Sequence, residues 1–327
     1  MALSPRRSLD LLPLFRQKMV ELSATPPRVV VACSGGPDSM ALLDLVHRWR
    51  LEQNVFVVVV HVDHGLRPSS KTDAVFVQKA CLKRGLKIVV RRVNVRSLAD
   101  RDGRGIEDAA RQRRYQALSS VAHQFRCSWV LTAHTLNDQA ETFFINLLRG
   151  TGPAGLGAMA PRSPWPVATQ KTSPRLFRPL LGVSKEELLA YLKKENVPSR
   201  LDPSNASPKF LRNVLRPLLQ SLEKVRPGFF HRVAQTAQLL RDEEDFWKTR
   251  LGPSLRRLIR LERASFMRYH VAEQRRLLRH RYGLSRFDSL ERVRLFVSDG
   301  AQGPLDIPGE KVVKTKRTLL FKLKKAE

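Results

Sequence analysis

Residues 29–43 read VVVACSGGPDSMALL. Val29, Val30 and Val31 are β-branched and form a short continuous apolar run, the mark of a buried strand. Gly35 and Gly36 then permit a tight turn and close approach of backbone to a ligand. Asp38 or Ser39 is placed to cap the helix that follows, read from Met40 to Arg50. A strand, a glycine turn and a helix N-terminus together offer free N–H groups and the positive end of a helix dipole. That combination favours an anion such as phosphate. Two glycines alone would fit any strand-to-helix turn, so the specificity lies in the whole Ser34–Ser39 block. The Walker pattern, with its Gly-Lys-Ser or Gly-Lys-Thr, is absent.

Working outward, 327 residues suggest two or three domains, and a hydrophobic content of 42% is enough to build their cores. The net charge of +29 calls for a polyanionic partner, since each cation placed near a phosphate releases counterions. Continuous apolar runs such as Val55–Val60 are too short to cross a bilayer, so no membrane partner is expected. The N-terminus, MALSPRRSLDLLPLFRQK, has no long apolar region or cleavage site and reads as a leader helix broken or started near Pro13. Cys33, Cys81 and Cys127 show no CxxC spacing, so no zinc knuckle, iron–sulfur site or dithiol is implied. Reduced thiols point to the cytoplasm.

Along the chain, Val55–Val62 is a second buried strand, ending in His61, Asp63 and His64. Polar groups at such a strand end sit where open α/β sheets bind ligands. Either histidine alone is more simply a hydrogen-bonded strand-end residue. Lys71–Lys83 reads as a helix, Lys87–Val93 as a third strand and Trp129–Thr132 as a fourth. This alternation is the grammar of a doubly wound, mostly parallel α/β sheet. In the helix Glu107–Leu118, residues Glu107, Arg111 and Arg114 share a face. Asp138 and Glu141, one turn apart after Leu131-Thr132-Ala133-His134, pair two carboxylates beside the glycine loop. They suit Mg²⁺ or a cationic substrate, although first-turn acids also complement a helix dipole.

Residues 149–159, RGTGPAGLGAM, and the proline-bearing stretch to Arg175 read as a mobile loop without a packed core. Leu176–Leu181 reads as a short strand. Ser184 and Glu187 form a capping box opening the helix Lys185–Glu195. After the turn at 202–205, Arg212 and Arg216 share a helix face. A composition shift near Lys224–Gly228 divides a domain at 1–223 from one at 224–327. The second is basic and mainly helical (Phe229–Arg250, Leu255–Arg260, Ala264–Tyr282), with a small α/β module at Pro304–Lys325.

The motif set resembles the bacterial tRNA(Ile)-lysidine synthetase family of N-type ATP pyrophosphatases. The matching blocks are SGGPDS (34–39), HVDHGLR (61–67), Glu107 to Tyr115, TAH-x3-DQAET (132–142), RGTGPAGLGAM, RPLL (178–181) and DPSN…LRNVLRPLL (202–219). They fall in family order over most of the first 220 residues. Thr135 and Asn137 depart from the family's usual histidine and acid; Asp138 and Glu141 do not. The resemblance implies an adenine nucleotide alpha hydrolase-like fold and ATP-dependent ligation of lysine to carbon 2 of the wobble cytidine of tRNA(Ile) with anticodon CAU. An adenylated cytidine forms on the way, and pyrophosphate and AMP leave.

On that resemblance, Ser34, Gly35, Gly36, Pro37, Asp38 and Ser39 cradle the ATP phosphates. His61 and Asp63 line the adenosine edge. Arg111 and Arg114 meet the nucleotide phosphate or the tRNA base. Asp38, His134, Asp138 and Glu141 form the reaction centre, with Asp38, Asp138 and Glu141 the candidate Mg²⁺ ligands. Asp202, Asn205, Arg212 and Arg216 shape the cytidine pocket or hold the RNA backbone. Partners are the tRNA and free L-lysine; the oligomeric state, a homodimer included, stays open. The rivals are a PP-loop tRNA thiolase, which would use a sulfur-handling cysteine pair, and a non-catalytic basic RNA-binding protein.

Overall fold

The computed structural model describes residues 10–20, 22, 28–65, 70–95, 105–167, 173–200, 211–257, 261–282, 287–298, 304–307, 310–314 and 318–323. They fall into two compact units: one up to Ile145 and again over Met159–Gln235, the other over Asn146–Ala158 and from Thr236 onward.

The first unit is built on strands β1 (Arg28–Ala32), β2 (Phe56–Asp63), β3 (Lys87–Arg92), β4 (Trp129–Leu131), β5 (Arg162–Ser163) and β6 (Arg175–Phe177). They form one sheet in the order β3-β2-β1-β4-β6-β5. All pairs are parallel except the β5–β6 edge. The mostly parallel, doubly wound reading holds. Strand-internal valines serve both faces by simple alternation. Val29, Val31, Val57, Val59, Leu131 and Phe177 join the core under helices α1 (Leu11–Val20), α2 (Pro37–Glu52) and α3 (Ser70–Leu82). Val30, Val58, Val60, Val130 and Leu176 face α4 (Ile106–Gln124) through Tyr115, Leu118 and Val121.

Several local expectations are corrected. α1 runs unbroken from Leu11 rather than breaking or starting at Pro13, which sits in its first turn, where a missing N–H costs nothing; its Leu11, Phe15 and Met19 lie in the main core. α2 begins at Pro37 with Gly36 as N-cap and no side-chain cap, so neither Asp38 nor Ser39 caps it. β6 ends at Phe177 rather than Leu181. The Ser184/Glu187 capping box is present and opens α7 (Lys185–Lys194), after α5 (Leu136–Leu148) and the short α6 (Pro153–Leu156). Helix α8 (Leu211–Val225) follows, and α9 (Phe229–Arg257) runs past the expected end at Arg250.

In the second unit, the glycine-rich 149–158 stretch is packed rather than free. It contains α6, and Arg241 donates to the Gly157 carbonyl. A Cβ on Gly152 would sit 2.8 Å from the Arg279 guanidinium. The expected single helix 264–282 is two, α10 (Arg263–Arg268) and α11 (Val271–Tyr282). The break is stable because Gln274 donates to the carbonyls of Phe266 and Tyr269, at 3.1 and 3.0 Å. With α12 (Phe287–Ser298) these helices bury Phe266, Leu277, Leu278, Leu290 and Val293. Strands β7 (Leu261–Glu262), β8 (Pro304–Ile307), β9 (Glu310–Lys314) and β10 (Thr318–Leu323) form an antiparallel sheet in the order β7-β10-β9-β8. No described helix is long and apolar enough to cross a membrane.

One ionic network lies inside the first unit. Asp44, 5% exposed, accepts from Arg84, Arg48 and Tyr191 at 2.9, 2.9 and 2.8 Å. Burial pushes its carboxyl up, but the Arg84 and Tyr191 hydrogen bonds outweigh that and hold it below its usual value. Its stabilisation is therefore present above the unfolded carboxyl's pKa and is lost as pH falls through the folded one. Asp44→Ala strands a partly buried guanidinium and should cost about 3 kcal/mol at pH 7, read by urea unfolding, with the cost shrinking toward pH 3.

Candidate active site

The sheet order reverses beside β1: the chain steps outward through β2 and β3, then returns to place β4 on β1's other side. Connections leaving in opposite directions open a crevice at the carboxyl ends of these two strands. The turn 33–39 follows β1, and residues 132–141 follow β4.

Gly35 has φ +93°, a region that favours glycine, and an added Cβ would stand 3.2 Å from Val77 Cγ2. Ser39 Oγ accepts from the N–H groups of Ser34 and Gly35, at 3.2 and 3.0 Å, and donates to the Gly36 carbonyl at 2.9 Å. Ser39 therefore shapes the turn from inside. Arg200 N–H donates to the Gly35 carbonyl at 2.9 Å and backs the loop. His61, 4% exposed, uses Nδ1 on the Cys33 carbonyl at 3.0 Å, tying β2 to the loop's entrance. Asp63 accepts from Gly65 N–H at 2.8 Å. Burial raises Asp63, but the Gly65 and Ser70 hydrogen bonds and Arg92 outweigh it and leave the carboxyl lowered.

Beyond β4, Thr135 and Asp138 cap α5 reciprocally. Thr135 N–H and Oγ1 both donate to Asp138 Oδ2 at 2.9 Å, and Asp138 N–H donates to Thr135 Oγ1 at 3.3 Å. Asn137 Oδ1 accepts from Lys185 N–H at 2.9 Å, at the start of α7. Both departures from the family pattern thus take structural roles that a threonine and an asparagine can fill. Glu141, 2% exposed, accepts from Arg216 Nε at 2.8 Å and pairs with Arg212 Nε at 3.3 Å. The shared face of Arg212 and Arg216 is turned onto this carboxylate. Leu215 and Leu219 of α8 pack with Leu136 and Ala140 of α5 and set that geometry.

Asp38, Asp138 and Glu141 lie within electrostatic reach of one another and of Lys185. Burial pushes Asp38 up to about 6, with Asp138 and Glu141 adding to it and Lys185 and Arg216 opposing. Burial also raises Asp138, but Lys185, the neighbouring imidazole and the Thr135 bonds overcome it, and the carboxyl is lowered. Glu141 is raised by burial and by Asp138, against Arg216.

His134 shares a 2.8 Å hydrogen bond, Nδ1 to Thr132 Oγ1. Burial pulls it down to about 3, and the cations Arg178, Arg114 and Arg111 pull the same way. The imidazole is neutral at pH 7. Arg111 and Arg114 lie over the Tyr115 ring, 5.1 and 5.5 Å from its centroid. Arg178, 7% exposed, donates to the Ala160 carbonyl at 2.7 Å and keeps a buried Nε without a hydrogen-bond partner.

A cavity of about 20 Å³, room for one water, is lined by Asn137, Glu141, Lys185 and Arg216. A cleft of about 460 Å³ holds Glu186, Glu187 and Glu223, but Glu187 is engaged in the capping box and Glu223 by the N–H groups of Gly228 and Phe230. Asp202 and Asn205, residues 66–67 and the Glu107 side chain lie outside the described residues. Sequence reasoning missed Lys185 and the role of Arg178; the one local signal was a lysine in the first turn of a helix, where the dipole disfavours it.

A family model described as a PP-loop domain matches residues 11–222. The chain is 43% identical over 198 residues to the tRNA(Ile)-lysidine synthase of Rhodopseudomonas palustris, covering 60% of this chain and 54% of that protein. It is 34% identical over 318 residues to the tRNA(Ile)-lysidine synthase of Thermus thermophilus, covering 95% and 59%. The chain thus spans between half and two thirds of these relatives' length. Among solved structures it resembles the U34-tRNA thiolase NcsA of Methanococcus maripaludis, with TM-score 0.57 and 16% identity over 71% of this chain and 80% of that one, a likeness of fold.

A carboxyl raised in the folded state destabilises the fold once it ionises, so Asp38 contributes most favourably below its unfolded pKa and loses that as pH rises through about 6. Asp38→Asn should therefore raise Tm at pH 8 and leave it unchanged near pH 3.5; equal shifts at both pH values would contradict the assigned burial.

Proposed function

The chain belongs to the PP-loop family, and on that premise we propose that it is an ATP-dependent ligase that joins lysine to the wobble cytidine of tRNA(Ile). The observation that carries this is the meeting, at the β1/β4 crevice, of the Ser34–Ser39 turn with Asp38, Asp138, Glu141 and two α8 arginines. The named relatives support the substrate.

In this reading the turn and the first residues of α2 hold the ATP phosphates through backbone N–H groups and the helix dipole. Among the described residues no three His, Cys, Asp or Glu side chains could hold a metal by themselves. Mg²⁺ needs only one or two carboxylates when phosphates complete its shell, so Asp38 and Asp138 fit it. Glu141 does not, because both of its oxygens face arginines. A bound Mg²⁺ would neutralise phosphate charge there.

The cytidine 2-oxygen attacks the α-phosphate, the bond to the β-phosphate breaks, and pyrophosphate leaves. The oxygen, a poor leaving group on cytosine, becomes a good one as part of a phosphate ester. In this reading Arg111 and Arg114 meet negative charge on that phosphate. The lysine ε-amine then adds at carbon 2 and AMP departs. A base must titrate near the working pH. Asp38, near 6 in the free protein, meets that condition once the metal has left with pyrophosphate, and His134, near 3, does not. We assign the amine's proton to Asp38 after pyrophosphate has gone, and to His134 a hydrogen-bonding role. Arg212 and Arg216 belong to the wall that receives the cytidine. The basic residues from 224 onward grip the rest of the tRNA, and the setting is the cytoplasm.

The thiolase reading is disfavoured by the thiols themselves. All three are buried, and burial pushes Cys81 up to about 12 and Cys127 up to about 11, far from a thiolate at neutral pH.

The test incubates the protein with ATP, Mg²⁺, lysine and CAU-bearing isoleucine tRNA and weighs the tRNA nucleosides. A cytidine heavier by lysine minus water is expected; a sulfur-bearing nucleoside, or none altered, would overturn the reading. Binding of that tRNA should also weaken about a thousandfold between 50 and 200 mM salt, measured by filter retention, as for six or more neutralised phosphates.

A further inference from the structure

Ser34 and Gly35 do not offer their N–H groups to a ligand, because Ser39 Oγ takes both, at 3.2 and 3.0 Å. Pro37 has none. The N–H groups left in the turn are those of Gly36, Asp38 and Ser39, which meet no acceptor among the described residues. Gly36 is the one that stands outside α2, so the helix does not fix its direction. The peptide that joins it to Gly35 lies between two glycines and can turn either way without a side-chain penalty. A trans peptide points its carbonyl and its N–H in opposite directions. The Gly35 carbonyl faces the Arg200 N–H at 2.9 Å, which turns the Gly36 N–H away from Arg200.

Arg200 is itself held by α3. Its Nη1 donates to Thr72 Oγ1 and to Asp73 Oδ1, each at 3.0 Å, and its guanidinium lies 5.1 Å from the centre of the Phe76 ring. Phe76 and Val77 also close over Gly35, since an added Cβ there would stand 3.6 and 3.2 Å from them. One helix thus bounds the glycine directly and holds its carbonyl through Arg200. The Arg200 and Asp73 side chains are 43% and 29% exposed, and an ion pair so open to water adds little to stability. Its effect is to keep one N–H in place. We infer that Arg200 is a positioning residue that sets the Gly35–Gly36 peptide and so aims the Gly36 N–H at the β- and γ-phosphates of the nucleotide. Arg200 itself touches no phosphate; it acts through the peptide. The inference rests on the reading of the turn as an ATP site.

The test titrates the full chain with Mg²⁺–pyrophosphate and, separately, with AMP, by calorimetry. Arg200→Ala should weaken pyrophosphate binding about tenfold, the size of one hydrogen bond to a charged group, and leave AMP within about twofold. Arg200→Lys, whose ammonium carries three donors and can still bridge Thr72 and Asp73, should stay within about threefold of wild type for pyrophosphate. Asp73→Ala should show the same kind of loss, and the double variant should lose no more than Arg200→Ala alone, because both changes remove one hold. Unchanged pyrophosphate binding in Arg200→Ala, an equal loss of AMP, or losses that add in the double variant would overturn the proposal. A wild-type chain that binds no pyrophosphate would overturn the ATP reading itself, so the two failures are distinguishable.

Discussion

The constraint on which everything else depends is the reversal of strand order at β1. Parallel strands need crossovers, and crossovers leaving in opposite directions cannot cover the carboxyl ends of β1 and β4. Two turns are thereby forced open onto one crevice. One is glycine-rich and carries Asp38; the other begins α5 and carries Asp138 and Glu141. Residues a hundred positions apart in sequence meet because the sheet leaves them no alternative. The valines that look like simple core residues are therefore also what aims the site.

Within the crevice the governing quantity is charge. Asp38, Asp138 and Glu141 would repel one another in a partly buried space, and each is balanced differently. Glu141 is locked by two guanidiniums, Asp138 by a reciprocal cap with Thr135 and by Lys185. Asp38 is balanced least, and its carboxyl rises to about 6. The least balanced acid is the one in the glycine turn, where an incoming cation would gain most. Arg111, Arg114 and Arg178 act together on His134.

The sheet and the catalytic-side helices were legible because their signals are local: β-branched runs for β1 and β2, the Ser184 box for α7, the spacing of Arg212 and Arg216. The misreadings share a cause, which is side chains serving distant partners. Ser39 looks like a helix cap, yet its hydroxyl turns back to satisfy Ser34 and Gly35. Glycines at 152 and 157 look like a free loop, yet they make room for Arg279 and Arg241. The split at 269–270 depends on one glutamine, Gln274, reaching two carbonyls. Glu141 showed itself as an acid of interest, but its two arginines lie on a helix more than seventy residues later. Lys185 showed only as a lysine in a helix's first turn, because Asn137 and Glu141, which it meets at one small cavity, lie on another helix that only the fold brings near.

The central claim is that the crevice directs attack at the α-phosphate of ATP. The most direct measurement follows ATP labelled on its α-phosphate during turnover with lysine and the CAU-bearing tRNA, resolving the labelled products. The account predicts labelled AMP in step with unlabelled pyrophosphate, and none of either in Asp38→Ala. Labelled ADP with released orthophosphate would mean that the β–γ bond is cut, and would contradict it.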